Sequence, residues 1–199
     1  MNVNLMSKRA PKKNQKGFTL IELIVVVVIL GILFFLTVSA LGGGTNSANA
    51  AAVRSMSNEL GRAVGFLNVN LGTGIDTSTS NPISASGDDM MDVIVKGRAS
   101  VAAAYQARFD QLNMRPLQGK IVVNGANFTM MNYDVGFTMT SCPSNRVCVE
   151  FGRVPNEVFR EVASKEGVAY SDTANTAGET LRWTAPTGGL RTITMLIYP

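Results

Sequence analysis

Residues 18–41 read FTLIELIVVVVILGILFFLTVSAL, and the architecture of the chain depends on what that run is. It carries one charge, Glu22, and from Leu23 to Leu36 it has no polar side chain. As an α-helix it extends roughly 36 Å at about 1.5 Å per residue, enough to cross a hydrocarbon core of about 30 Å. Val25, Val26, Val27 and Val28 are β-branched and make a poor helix in water, but in lipid only a helix satisfies the backbone. The sequence predicts a membrane-spanning helix. Lys8, Arg9, Lys12, Lys13 and Lys16 precede it with no acid among them, which holds the N-terminus in the cytoplasm and sends the remainder outside.

Those five cations also account for the overall charge. The 199 residues hold 18 Lys+Arg and 14 Asp+Glu, for a net +4 and a sequence pI near 9.3. Beyond residue 17 the balance is 13 basic against 14 acidic side chains, a net of −1. The basicity therefore belongs to a short leader and carries no argument for nucleic acid. Zero His excludes His-dependent triads and His–metal sites, and two Cys cannot make a four-Cys zinc site. No cofactor is implied. About 150 residues remain beyond the apolar run, enough for one domain with a real core.

Three readings compete for the apolar run. An ordinary anchor needs nothing more than length. A cleaved secretory signal with Ala48-Asn49-Ala50 as its small-residue site would have an h-region longer than the usual 7–15 or so residues, and a site far from its end. Neither reading needs Glu22, a carboxylate whose insertion costs about 2.5–3.5 kcal/mol and which is a functional suspect by default. Snorkelling toward the interface is the bland account of it.

The residues Lys16-Gly17-Phe18-Thr19-Leu20-Ile21-Glu22-Leu23 decide among these. They resemble the class III signal of type IV pilins and of the related pseudopilins of type II secretion: a basic leader, Gly before the cut, Phe after it, and Glu at the fifth mature position. The resemblance implies that a prepilin peptidase cleaves between Gly17 and Phe18 on the cytoplasmic face and methylates the new Phe18 amine. It implies that the helix stays on the mature protein as its assembly element. It also implies residence in the inner membrane, engagement by the pilus assembly machinery there, and export into an extracellular filament of identical copies. Glu22 of one subunit would then meet the Phe18 ammonium of another (or of its own chain), each offsetting the other's desolvation and fixing register.

Gly42, Gly43 and Gly44 follow. Each Gly costs roughly 1 kcal/mol relative to Ala in a helix, so the triplet either ends the membrane helix or forms a hinge within a longer one. From Asn46 an apolar stripe of Ala48, Ala52, Met56, Ala63 and Leu67, widened by Val53, Leu60 and Val64, predicts an amphipathic helix to about Asn68. It resembles the second half of a pilin spine helix. The organisation is thus a leader at 1–17, an assembly helix at 18–41, a hinge and amphipathic half at 42–69, and an extracytoplasmic head at 70–199.

The head predicts an α+β arrangement, an antiparallel sheet packed on the spine helix. Residues 70–87 are rich in Gly, Ser, Thr and Asn and predict a surface loop. Asp88, Asp89 and Asp92 precede an apolar stretch and suit a helix N-terminus; nothing there has EF-hand spacing. Residues 88–112 predict one or two short helices broken at Gly97. Ile121 to Val123, an Asn124-Gly125 turn and Phe128 to Met130 predict a hairpin. Strands are expected at 133–140, 147–151 and 190–198, with a helix opening at Pro155-Asn156 and turning Val158, Phe159 and Val162 to the core.

Cys142 and Cys148 suit a disulfide across a Pro-Ser-Asn-Arg turn in an extracytoplasmic domain, and a redox pair lacks the C-x-x-C spacing. Many pilins instead tie a longer C-terminal region with their Cys pair, so the family's receptor-binding loop is not carried over to this region. Trp183 reads as a core-capping aromatic, with an exposed contact as the alternative. Arg146, Arg153, Arg160, Arg182 and Arg191 are interspersed with Glu150, Glu157, Glu161, Glu166 and Glu179, which reads as a solvated mixed-charge face.

The function that follows is a non-enzymatic structural subunit of a type IV pilus, serving adhesion, motility, DNA uptake or conjugation. The alternatives are a pseudopilin of type II secretion and a secreted binding module released after Ala50. An enzyme would need to work without His, and no nucleophile elbow or paired-carboxylate motif stands out.

Overall fold

The computed structural model describes residues 20–112, 114 and 119–199, with side chains described from residue 21 except at 22 and 35–43. The chain divides into two compact units, Met1–Gly42 and Gly43–Pro199. Helix α1 (Leu20–Leu71) contributes its first part to one and its second part to the other.

In the second unit, α1 buries Ala50, Val53, Met56, Leu60, Ala63, Val64, Leu67 and Leu71. Ala48, expected on this stripe, is exposed, and Ala52 is only half-buried. Residues spaced strictly by four advance about 40° per step around a 3.6-residue helix and walk off one face, whereas the buried set is spaced mostly by threes with occasional fours. Ser57 sits within the stripe at no cost, because its hydroxyl donates to the Val53 carbonyl at 2.8 Å. Gly61 and Gly65 form a notch on the helix. A Cβ at Gly61 would lie 2.5 Å from Ile197 Cγ2, and one at Gly65 would lie 2.9 Å from the Pro199 carbonyl carbon. No other residue type allows so close an approach.

Helix α1 closes at Gly72, whose positive φ of 70° and bond to the Asn68 carbonyl end the helix. The following polar stretch is a loop as expected but not a surface one throughout: Thr77, Asn81 and Ile83 are buried. Asn81 makes this possible, its amide donating to the Asp76 carbonyl at 2.6 Å and its Oδ1 accepting from the Ile83 N–H at 3.0 Å. With the loop's backbone satisfied locally, Ile83 can enter the core.

The acids at 88–92 do what a helix N-terminus asks. Helix α2 (Met90–Lys96) opens on a capping box in which Asp89 Oδ1 accepts from the Asp92 N–H and Asp92 Oδ2 accepts from the Asp89 N–H, both at 3.0 Å. Asp89→Ala should lower unfolding stability by about 1 kcal/mol in a urea titration. Gly97, at φ 72°, breaks the helix into a 3-10 turn (Gly97–Ser100), and α3 (Ala103–Phe109) follows.

The sheet contains β1 (Val122–Asn124), β2 (Asn127–Met130), β3 (Tyr133–Phe137), β4 (Val147–Pro155), β5 (Leu181–Trp183) and β6 (Leu190–Ile197). Helix α4 (Asn156–Lys165) lies between β4 and β5 in sequence. All pairings are antiparallel, in the order β1-β2-β3-β4-β6-β5. The fold is therefore α+β, a helix followed by short helices and a six-stranded antiparallel sheet.

Details differ from the expected elements. In the β1–β2 hairpin Asn124 pairs with Asn127, so the turn is Gly125-Ala126, one residue later than expected, with Gly125 at φ 64° as the first turn residue. Strand β3 stops at Phe137, leaving Met139 exposed. Strand β4 runs on to Pro155 through a bulge between Phe151 and Val154. There Arg153 takes a positive φ of 60° and its guanidinium makes two bonds of 2.7 Å to Asp134. Strand β5 was not anticipated.

Register sorts the side chains onto two faces. Val135, Phe151 and Ile193 are neighbours across strands, as are Phe137, Val149, Met195 and Leu181; these rows make the inner face. Together with the buried stripe of α1, Ile83, and Met90, Met91, Val93 and Ile94 of α2 they form one core. The outer face is different: Gly136, Glu150, Thr194 and Arg182 lie side by side across four strands.

Candidate functional site

The leader, the Gly17–Phe18 bond and Phe18 itself lie outside the described residues. Glu22 belongs to α1 by its backbone, and its side chain is likewise outside them. Around it the helix is apolar on every side. Ile21, the residues from Leu23 to Leu30, and Ile32, Leu33 and Phe34 are all roughly half to two-thirds exposed. A helix that is hydrophobic all round is normally buried in lipid or in a larger assembly. Among the described residues no helix is long and apolar enough to cross a membrane. The side chains described in this part of α1 are those of residue 21 and residues 23–34, so the span rests on the sequence of residues 18–41.

Gly42, Gly43 and Gly44 have helical backbone, and Gly44 has nothing within 4 Å of where a Cβ would stand. The expected disulfide is present: Cys142 and Cys148 are bonded, with Cα atoms 5.9 Å apart. It closes the β3–β4 connection beside the bond from the Thr138 N–H to the Cys148 carbonyl. Only a hairpin is stapled. A loop this short yields about 2 kcal/mol by the chain-entropy relation, so Cys142→Ala/Cys148→Ala should lower the melting midpoint by about 4–8 °C.

The five arginines each have partners of their own. Arg153 pairs with Asp134, Arg160 stacks 4.5 Å from the Tyr170 ring centroid, and Arg146 stacks 3.9 Å from that of Tyr198. Arg182 donates to the Gly178 carbonyl at 2.8 Å and to the Ser141 carbonyl. Arg191 corrects the expectation of a solvated face, because it is 3% exposed. Its Nε donates to Asn156 Oδ1 at 2.9 Å, one terminal nitrogen to the Ser171 carbonyl at 3.1 Å and the other to Asp172 at 3.2 Å. Its guanidinium also lies over the Phe159 ring at 4.2 Å. The Asp172 carboxyl is held below its ordinary value by the Tyr170 hydroxyl first and by Arg191 second.

Trp183 takes the core-capping role. It is 5% exposed, its ring lies 5.1 Å from Phe159, and its Nε1 donates to the Thr173 carbonyl at 2.8 Å. What sequence reasoning missed is a cleft on the outer face around Glu150, lined by polar groups set among apolar atoms, whose only signal was the alternation of Thr192 and Thr194 along β6.

Comparison with known families returns one N-terminal match. The model of the prokaryotic N-terminal methylation motif fits residues 12–38, which span Gly17, Phe18, Glu22 and most of the apolar run. The chain is type IV pilin-like. Neither the curated proteins nor the solved structures yield a match to the chain. A pilin-like or pseudopilin-like secreted subunit is thus the level at which the motif speaks, and it covers part of the leader and of the apolar run and none of the residues beyond 38. The motif implies processing by a prepilin peptidase and insertion into the inner membrane before assembly.

Proposed function

We propose that the mature chain is a structural subunit of a type IV pilus. The observation that carries this reading is an acid at the fifth position after a Gly-Phe junction, inside a helix whose described apolar side chains are about half or more exposed. Prepilin peptidase cuts between Gly17 and Phe18, the Phe18 amine is methylated, and the helix holds the subunit in the inner membrane. Assembly moves that helix from lipid into a bundle of identical helices, so its apolar surface stays out of water throughout. Glu22 and the Phe18 ammonium set the stagger between subunits. Gly42, Gly43 and Gly44 supply a joint between the packed helices and the outward-facing heads, where intrinsic helix stability is lowest.

Intact mass and terminal fragmentation of protein recovered from cells test the reading. A methylated Phe18 terminus in sheared surface filaments is the expected result. A start at Ala51 would point to a secreted module. A methylated Phe18 confined to the envelope, with secretion lost on deletion, would point to a pseudopilin.

A further inference from the structure

The outer sheet face carries a cleft of about 200 Å³. Its floor is formed by Glu150 on β4, Thr192 and Thr194 on β6 and Arg182 on β5. Its rim comes from two connections, with Thr138, Thr140 and Ser141 on one side and Asn175 and Thr176 on the other. Those connections are stitched together rather than merely adjacent. Arg182 ties Gly178 to Ser141 through their carbonyls, and Arg146 reaches the Glu179 carbonyl and the Tyr198 hydroxyl. The disulfide between Cys142 and Cys148 anchors the first connection at its base. The cleft is therefore held open by fixed walls.

Glu150 stands half-buried in this floor, and among the described residues it has no hydrogen-bond or ion-pair partner. Its cross-strand neighbours are Gly136, which has no side chain, and Thr194. Burial raises its pKa above the ordinary value. A desolvated carboxylate without a partner is unfavourable to the fold and invites a donor from outside.

The chemistry of the lining selects the class of that donor. An anion would face Glu150. A divalent cation would find a single carboxylate, and no group of three or more metal-ligating side chains exists among the described residues. A lone ammonium would meet the Arg182 guanidinium. An apolar ligand would strand the carboxylate and the hydroxyls. A neutral polyhydroxylated ring satisfies all of them, with two adjacent ligand hydroxyls donating to Glu150 while threonine hydroxyls, Asn175 and Arg182 serve its remaining oxygens. We propose that this cleft is a carbohydrate subsite that takes one sugar residue of a glycan, with Glu150 as its central hydrogen-bond acceptor.

The test needs no filament, so it stands or falls apart from the pilus reading. The full chain, ¹⁵N-labelled in dodecylphosphocholine micelles (a detergent without a sugar headgroup), is titrated with the methyl glycosides of glucose, galactose, mannose, fucose, N-acetylglucosamine and N-acetylgalactosamine. At least one should produce saturable amide shifts clustered at residues 138–141, 150, 182–184 and 192–194, with a dissociation constant on the order of 1 mM. Glu150→Gln should weaken that binding tenfold or more, and Thr194→Val should weaken it by a smaller factor. Folding of the variant is checked independently. A carboxyl whose folded pKa is raised by burial is best tolerated when protonated, so it loses stability as pH rises through its titration. Glu150→Gln should therefore melt at pH 7 no lower than the parent. Saturation with all six glycosides and no shift at these amides overturns the proposal, as does undiminished binding by a folded Glu150→Gln.

Discussion

Glu22→Ala should abolish surface filaments while leaving the body folded. If Glu22 pairs with the Phe18 ammonium of a neighbouring subunit, its removal strands a positive charge between apolar helices. Breaking one side of a buried pair costs about 3–5 kcal/mol. At each subunit addition that is a loss of about two to four orders of magnitude in the association constant, and growth depends on repeated addition. The body, Gly43–Pro199, is a separate compact unit and contains none of the residues concerned. Electron micrographs and immunoblots of sheared fractions should show no filaments, with unchanged total protein and an intact Cys142–Cys148 bond. Normal filament yield from this variant would sink the pairing, whatever the N-terminus turns out to be.

Arg191→Ala carries the second large effect, and it falls on stability. The Arg191 side chain is fully buried. It joins α4 through Asn156, the 171–172 loop through Ser171 and Asp172, and the ring of Phe159. Truncation removes three hydrogen bonds and leaves a void beneath Phe159, for a loss of about 3 kcal/mol. For a body of this size the melting midpoint should fall by about 6–12 °C. Arg191→Met separates the two contributions. It refills the volume without the guanidinium, so it should recover part of the loss and leave the 171–172 loop less protected in hydrogen exchange. A loss under about 1 kcal/mol for the alanine variant would mean that the buried guanidinium is dispensable.

What was legible in the sequence was local. The 16–23 motif needs no tertiary context, and the family match falls on it. The capping pair Asp89 and Asp92, the break at Gly97, and α4 with Val158, Phe159 and Val162 turned inward all depend on neighbours within a few residues. The illegible parts depend on residues far apart. Arg191 looks like any surface arginine until Asn156 and Asp172 arrive from 35 and 19 residues away. Strand β5 is three residues long and contains an arginine, so it has no periodic signal, and only pairing with β6 defines it. Ile83 sits among polar turn residues, and its burial depends on Asn81 satisfying the loop around it. Ala48 was misplaced because a four-residue spacing drifts, and only the packed core shows where the stripe lies. The cleft around Glu150 was invisible for the same reason, since its lining comes from five separate segments.

Strand β6 follows every other strand in sequence yet lies inside the sheet, between β4 and β5. Strand β5 has no other strand neighbour, β4 keeps one edge open without β6, and the notch at Gly61 is filled by Ile197 of β6 itself. If the head is exported across a membrane in order, as the proposed function has it, the inner rows that hold Val149, Phe151 and Trp183 stay uncovered until these eight residues arrive. The topology thus works as a length gauge. On that reading, a chain that stops short before residue 190 would keep an open core and be a substrate for envelope proteases instead of a defective building block for a filament.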